Sequence, residues 1–105
     1  MSLPVRFSAE AASELNAAAA WYDVQQPGLG ETFLDAVDVT LGYLSDWPGS
    51  GSPVPGVPAG PDVRRAPVAR FPYHLPYVVL ENHLRILAVA HDRQRPRYWA
   101  PRVVD

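Results

Sequence analysis

The spacing of apolar residues predicts two helices in the N-terminal half of the chain. Residues 9–26 carry one apolar stripe at helical spacing, formed by Ala12, Leu15, Ala19 and Tyr22. Ser8 stands before this segment as its expected N-cap, and Pro27-Gly28 ends it. Leu29–Asp46 carries a second stripe, formed by Phe33, Val37, Leu41 and Leu44. Because so short a turn joins the two helices, they are expected to form an antiparallel hairpin.

Outside these helices the apolar residues follow the two-residue period of β-strands. We predict strands over 3–7, 63–70, 75–81 and 84–91. Pro67 restricts the second strand to a sheet edge or a bulge, whereas the last is apolar on both faces and typical of a central strand. The order β-α-α-β-β-β predicts an α+β fold, an antiparallel β-sheet with an αα-hairpin packed on one face. The expected hairpin–sheet contacts join Leu15, Tyr22, Phe33, Val37 and Leu41 to Val79, Ile86 and Ala88.

The 105 residues are expected to form a single domain, residues 1–105, with one long surface loop at 47–62. Nine of the sixteen loop residues are Pro or Gly, which excludes a helix or a central strand. We interpret the loop as a tolerated insertion, because long loops add little closure entropy. A proline-rich recognition ligand is the weaker alternative, since no aromatic docking pattern surrounds it.

Charge is divided unequally between the two halves of the chain. Residues 1–62 hold one arginine and eight acidic residues, a net charge of −7, while residues 63–105 hold eight arginines and three acidic residues, a net charge of +5. The sequence has no lysine, which excludes a lysine base or Schiff base, and arginine favours planar contacts with carboxylate or phosphate. A GC-rich genome would explain the missing lysine but not the division of charge.

Several residue types and segments that the sequence lacks exclude further classes of site and function. The chain has no cysteine, which excludes disulfides, thiolate metal sites and cysteine nucleophiles, and fits a cytoplasmic location. The N-terminus lacks the apolar region of a signal peptide, and no apolar run approaches the roughly 20 residues that span a bilayer, so no membrane partner is expected. The three histidines, His74, His83 and His91, lack metal-ligand spacing, so no metal site is expected. The chain also has no Gly-rich phosphate loop after a strand, and no cofactor is expected.

Residues whose side chains could bind or cleave a substrate cluster where the predicted strands end. In a meander, Arg70 and His91 emerge at the same end of the sheet, close to Arg93 and Tyr98. Histidine can transfer protons near neutral pH, arginine can stabilise phosphoryl charge and aromatic rings can stack on bases, so this set suits binding or cutting RNA. Each of these side chains also has a purely structural alternative. His91 would form a hydrogen bond with a tyrosine or with Asp92, and Tyr98 and Trp99 would only cover one face of the sheet. The arginines at 64, 65 and 70 would be solvated or paired with the acidic helices.

Several short motifs in a fixed order resemble the RelE/ParE superfamily of type II toxin–antitoxin toxins, and especially its ParE, or plasmid-stabilisation, branch. The resemblance extends from Phe7 to Arg102. Its motifs are Trp21-Tyr22, Leu29-Gly30, Val63-Arg64-Arg65, Arg70-Phe71-Pro72-Tyr73, and Ala88 to His91 followed by Arg93, Pro96, Tyr98 and Trp99. The resemblance implies the β-α-α-β-β-β fold and a growth-inhibiting toxin, neutralised by a small antitoxin protein that would supply any contact with DNA.

The resemblance leaves two toxin activities open. RelE-type members cut messenger RNA on the ribosome with basic residues and a C-terminal tyrosine, for which the candidate catalytic residues here are Arg70, His91, Arg93 and Tyr98. ParE-type members poison DNA gyrase instead, and the absence of lysine and the net charge of −2 favour that reading. An inactive relic or a purely complex-forming module is the third alternative. The residues expected to bind the target or the antitoxin are Arg64, Arg65, Arg70, Arg93, Arg97, Tyr98 and Trp99.

Overall fold

The computed structural model of the chain describes residues 2–57 and 61–104. Its two α-helices are α1 (Ala9–Gln25) and α2 (Leu29–Asp46). Its strands are β1 (Val5–Phe7), β2 (Ser52–Pro53), β3 (Asp62–Pro67), β4 (Tyr73–Val79), β5 (Leu84–Ile86) and β6 (Ala90–His91). Two short 3-10 helices cover Pro48–Ser50 and Ala100–Val104. The predicted helical hairpin is confirmed, as is the Ser8 cap, whose Oγ accepts a hydrogen bond from the Ala11 amide at 3.1 Å.

The strands form one mixed sheet in the order β1-β5-β4-β3-β2, with β6 pairing β4 beyond the end of β5. Strand β1 runs parallel to β5, and all other pairs are antiparallel, so the predicted fold class is confirmed but the sheet is not wholly antiparallel. The parallel pair follows from the connection, because the whole helical hairpin intervenes before the chain returns beside β1. Strand β5 lies between β1 and β4, which confirms the central place predicted for the segment starting at Leu84.

The hairpin packs on one face of the sheet through an aromatic cluster. The buried rings of Tyr22 and Phe33 lie 5.2 Å apart between centroids, and Phe71 lies 5.0 and 5.1 Å from them in edge-on geometry. Val37 is buried in the same cluster, while Leu15 packs against it partly exposed. Such ring pairs add to the stabilisation that burial alone provides.

The two helices approach closely at Gly30. Its amide donates a 2.8 Å hydrogen bond to the Asp23 carboxylate of α1. A methyl group at Gly30 would overlap the Ala19 carbonyl oxygen and come within 2.7 Å of the Asp23 carboxyl carbon. Only glycine therefore fits where α2 begins.

A β-bulge interrupts the predicted strand 84–91. Tyr77 pairs with Ile86 and His74 pairs with Ala90, so three residues, 87–89, stand opposite the two residues 75–76. Pro76 of β4 accepts the Leu87 amide at 2.8 Å but has no N–H to return, which ends regular pairing there. Leu87 and Ala88 consequently both point to the face opposite the hairpin, so the predicted contact of Ala88 with the hairpin is wrong.

The C-terminal segment covers that second face. The buried side chains of Trp99 and Val103 pack there in a cluster with Val63, Val78, Leu87, Ala88 and Ala90. The sheet is therefore covered on both faces rather than on one. The interpretation in which Trp99 covers a sheet face is the one that the structure supports.

Part of the predicted loop 47–62 is ordered against the sheet. Strand β2 pairs with β3 at Arg64 and Arg65, and the Tyr77 hydroxyl donates to the Pro48 carbonyl at 2.7 Å and accepts the Gly51 amide at 3.0 Å. The interpretation of 47–62 as one loop without strands is thus wrong at its N-terminal end, while residues 58–60 lie outside the described residues. Pro67 lies beyond the reach of β2, at an edge position as predicted.

The close helix contact makes a testable prediction about two glycines of α2. Gly30→Ala should lower the free energy of unfolding by about 1–3 kcal/mol, because the added methyl group overpacks the contact with α1. The matched control is Gly42→Ala, where no atom lies within 4 Å of the added carbon. That substitution should raise the free energy of unfolding by about 0.5–1 kcal/mol, since glycine is unfavourable inside a helix. Urea unfolding measures both, and equal effects of the two substitutions would contradict the assigned helix contact.

Candidate functional site

The carboxylate of Glu14, on α1, accepts four hydrogen bonds, three from the C-terminal segment and one from the bulge between β5 and β6. Its Oε1 accepts the Val89 amide at 3.1 Å and Arg102 Nη1 at 2.9 Å. Its Oε2 accepts the Tyr98 hydroxyl at 2.8 Å and Arg102 Nη2 at 3.2 Å. This bidentate pair is largely shielded, with side-chain exposures of 24% for Glu14 and 19% for Arg102. The arrangement fixes the C-terminal segment to α1.

Tyr98 is therefore a structural donor in this geometry. Burial raises the pKa of its hydroxyl well above the usual value, and the hydrogen bond to the Glu14 carboxylate raises that pKa further. The Arg102 guanidinium lies 5.3 Å from the centre of the Tyr98 ring, and its own pKa is raised chiefly by the hydrogen bond to Glu14. A phenol held in this way is a poor acid, and Arg102 lies over its ring.

The other members of the candidate catalytic set lie elsewhere. His91 sits in a groove beside α1, with its ring edge-on to Tyr73 at 5.0 Å and its Nδ1 accepting the Arg93 amide at 3.0 Å. Arg70 is exposed in the β3–β4 turn with a left-handed φ of 70°. The topology brings Arg70, His91 and Arg93 to the same end of the sheet, as expected, but Tyr98 reaches away from them to Glu14. His91 does not bond to Asp92; that carboxylate pairs with His74.

Two of the residues expected to bind a partner are engaged inside the fold. Trp99 is 2% exposed, so its indole cannot contact a partner directly. Arg64 forms an ion pair with Asp62 at 3.0 Å and donates to the carbonyls of Gly49 and Gly51 at 3.0 and 2.9 Å. Arg64 therefore joins β3 to the segment before β2.

Of the remaining arginines expected to bind a partner, Arg65 and Arg97 line a cleft on the face of the sheet opposite the hairpin, whereas Arg70 and Arg93 do not. The cleft has a volume of about 290 Å³, and His91, Tyr98 and Trp99 also line it. It also contains His74, Asp92 and Arg95, which sequence reasoning missed. His74 Nδ1 and Asp92 Oδ1 lie 2.8 Å apart, although 18 residues separate them in sequence. Only the pairing of β4 with β6 places this histidine beside this carboxylate.

The hairpin presents a different kind of surface. Val39, Tyr43 and Trp47 follow one line along the outer side of α2 and its C-cap, with exposures of 73%, 60% and 63%. Val39 and Tyr43 line a groove between α2 and β3 whose floor is mostly apolar. On α1, Trp21 and Val24 are 57% and 81% exposed. Exposed aromatic residues of this number are typical of protein-binding surfaces.

Two further properties concern the described part of the chain. Neither helix there is long and apolar enough to cross a membrane. Within residues 2–57 and 61–104, no three His, Asp or Glu side chains cluster in a way that could hold a metal ion.

Comparison with known proteins identifies the family. Residues 5–96 match the model of the ParE toxin of the type II toxin–antitoxin system parDE. The chain belongs to the ParE toxin family. A solved structure described as a chromosomal ParDE toxin–antitoxin system from P. aeruginosa has the same fold, with a TM-score of 0.71 and 21% sequence identity over 86% of this chain and 96% of that one. No curated protein matches the chain.

The family assignment agrees with the element order read from the sequence. The match to the ParE family ends at Pro96, so Tyr98, Trp99 and Arg102 lie outside it. The contacts that Glu14 makes with Tyr98 and Arg102 therefore join the matched part of the chain to the segment that follows it.

The raised tyrosine pKa values predict that the folded chain becomes less stable at alkaline pH. Tyr22, Tyr73, Tyr77 and Tyr98 all have raised pKa values in the folded chain, mainly through burial. Above a pH of about 10, the unfolded chain loses these protons while the folded chain keeps them, so the free energy of unfolding should fall as the pH rises. Tyr98→Phe should make that fall shallower.

At neutral pH, Tyr98→Phe should lower the free energy of unfolding by about 0.5–1.5 kcal/mol, because Glu14 loses one hydrogen bond at a partly exposed site. The matched control is Tyr43→Phe, on the exposed side of α2. That substitution should change neither the free energy of unfolding at neutral pH nor the slope of that free energy against pH. Denaturant unfolding at several pH values measures both variants, and an unchanged alkaline slope in Tyr98→Phe would contradict the role given to its hydroxyl.

Proposed function

We propose that this ParE-family chain inhibits growth by binding a protein target, DNA gyrase, and that a cognate antitoxin neutralises it in the cytoplasm. The antitoxin partner follows from membership of a toxin–antitoxin family. The choice of gyrase rests on the resemblance to the ParE branch. Any contact with DNA outside the gyrase complex would come through the antitoxin.

One observation carries the choice of a binding toxin over a ribonuclease. The tyrosine that a RelE-type mechanism would use, Tyr98, donates its hydroxyl to Glu14 and has a raised pKa. Cleavage needs an acid, a base and a phosphate-binding cation around one reacting group. His91 and Tyr98 line one cleft that Arg70 does not line, and Tyr98 could act as the acid only after giving up its hydrogen bond to Glu14.

The exposed aromatic residues support protein binding as the activity. Trp21, Tyr43 and Trp47 are each more than half exposed, a costly arrangement for a chain with no partner. Tryptophan and tyrosine are also common among the residues that contribute most to interface energies. Two grooves, one beside each helix, offer separate places for the antitoxin and the target.

The ribosome remains the second candidate target because of the His74–Asp92 pair. This pair lies in a cleft with arginines, which is an arrangement that proton transfer next to a phosphate could use. The experiment below therefore tests messenger RNA cleavage as well as gyrase inhibition.

The test is brief induction of the chain without antitoxin, followed by two measurements on the same cells. We expect gyrase-dependent DNA damage and loss of supercoiling by purified gyrase, and no codon-position cleavage of ribosome-bound messenger RNA. Arg93→Ala should weaken gyrase inhibition by roughly 5- to 30-fold if it removes an interface contact of 1–2 kcal/mol. Arg6→Ala is the matched control, since Arg6 is exposed on the edge strand β1.

Two results would overturn this assignment. Codon-position cuts that disappear in His91→Ala or His74→Ala would show a ribonuclease. Failure of the purified chain to co-elute with the product of the adjacent antitoxin gene would remove the neutralising partner, because a stable complex is expected to bury about 1,200–2,000 Å² or more.

A further inference from the structure

The cleft opposite the hairpin has the composition of a site for a small anionic group. Arg65 enters it from β3 and His74 from β4, while Asp92, Arg95 and Arg97 enter from the segment after β6. Beside these polar groups the cleft has an apolar portion, formed by Pro53, Val54, Pro55, Ala90 and Trp99. The site therefore combines cations with a surface that a polypeptide can pack against.

Positive charge exceeds negative charge in this cleft. The one carboxylate, Asp92, is engaged by His74 at 2.8 Å. Among the ion pairs of the described residues, none uses Arg65, Arg95 or Arg97, and all three side chains are exposed. Guanidinium groups in this state readily form paired hydrogen bonds with a carboxylate or a phosphate.

One of the three arginines lies close to the loop before β3. Arg97 has a left-handed φ of 57°. Its guanidinium lies against the backbone of Gly56, where an added carbon would stand 3.3 Å from Arg97 Cζ. Gly56 itself has a φ of 78°, so glycine is favoured there for both reasons. The cation is thus positioned by the fold rather than left free in solvent.

We propose that this cleft binds the carboxylate side chains of an acidic segment of a protein partner. The identity of that partner as the antitoxin rests on the function proposed above, but the chemistry of the cleft does not. A carboxylate can take paired hydrogen bonds from Arg65 and Arg95 while its aliphatic neighbours pack on the proline and valine wall.

Nucleic acid fits the same cleft less well. Binding of single strands depends on aromatic rings that stack on bases, and here Trp99 is 2% exposed while Arg102 covers the ring of Tyr98.

The test is a titration of the full chain with acetyl-hexaglutamate amide at low salt, followed by amide NMR. We expect shifts concentrated at the cleft, in particular at Ser52, His74, Ala90 and Arg95. The double variant Arg65→Gln/Arg95→Gln should bind the peptide at least tenfold more weakly. The matched double variant Arg6→Gln/Arg85→Gln removes the same charge outside the cleft and should stay within twofold of the original chain.

Three outcomes would overturn the proposal. They are shifts spread evenly over all exposed arginines, equal weakening by the two double variants, or tighter binding of a ten-residue oligothymidylate at the same cleft residues. The hexaglutamine peptide serves as the uncharged control and should cause no shifts in the cleft. Because this titration uses no antitoxin, a chain that binds the peptide but not the antitoxin would contradict the proposed function alone.

Discussion

The β-bulge at residues 87–89 places one extra residue opposite β4. This bulge determines which side chains lie on each face of the sheet. Pro76 cannot donate to the neighbouring strand, and the bulge leaves the Leu87 carbonyl and the Val89 amide without ladder partners. Arg102 donates to the Leu87 carbonyl at 3.0 Å and Glu14 accepts from the Val89 amide at 3.1 Å. The same two side chains then pair with each other, so the polar groups that satisfy the bulge also attach the C-terminal segment to α1.

The position of each candidate functional group follows from that bulge. A regular strand would have placed Val89 and His91 on the face opposite the hairpin, whereas the shift in register turns both toward α1. Asp92 falls on the other face, where it meets His74. The bulge therefore turns the His91 ring toward Tyr73, while the histidine–carboxylate pair of the cleft is formed by His74 and Asp92. His91 lines both the cleft and the groove beside α1.

Much of the fold could be predicted because its signals are local. The helical stripes, the Ser8 cap and the Pro27-Gly28 turn specify the hairpin within a few residues of each other. The bulge could not be predicted because residues 84–91 are apolar on both faces. Such a run has no alternation of apolar and polar residues in which a shift of one residue would be visible. Pro76 was the one available signal. The contacts of Glu14 with Tyr98 and Arg102 span more than 80 residues, and no local pattern reveals a partner at that distance.

The positive charge of the C-terminal half can be located on the surface once the arginines that form internal ion pairs are set aside. Glu14 neutralises Arg102 and Asp62 neutralises Arg64, so the arginines left exposed around the cleft are Arg65, Arg95 and Arg97. The exposed aromatic residues lie instead on the hairpin, across the sheet. The two surfaces meet at the edge of the sheet, because Ser52 and Arg65 line both the cleft and the apolar groove beside α2. A partner segment with apolar residues for the groove and acidic residues for the cleft therefore has one continuous surface to follow.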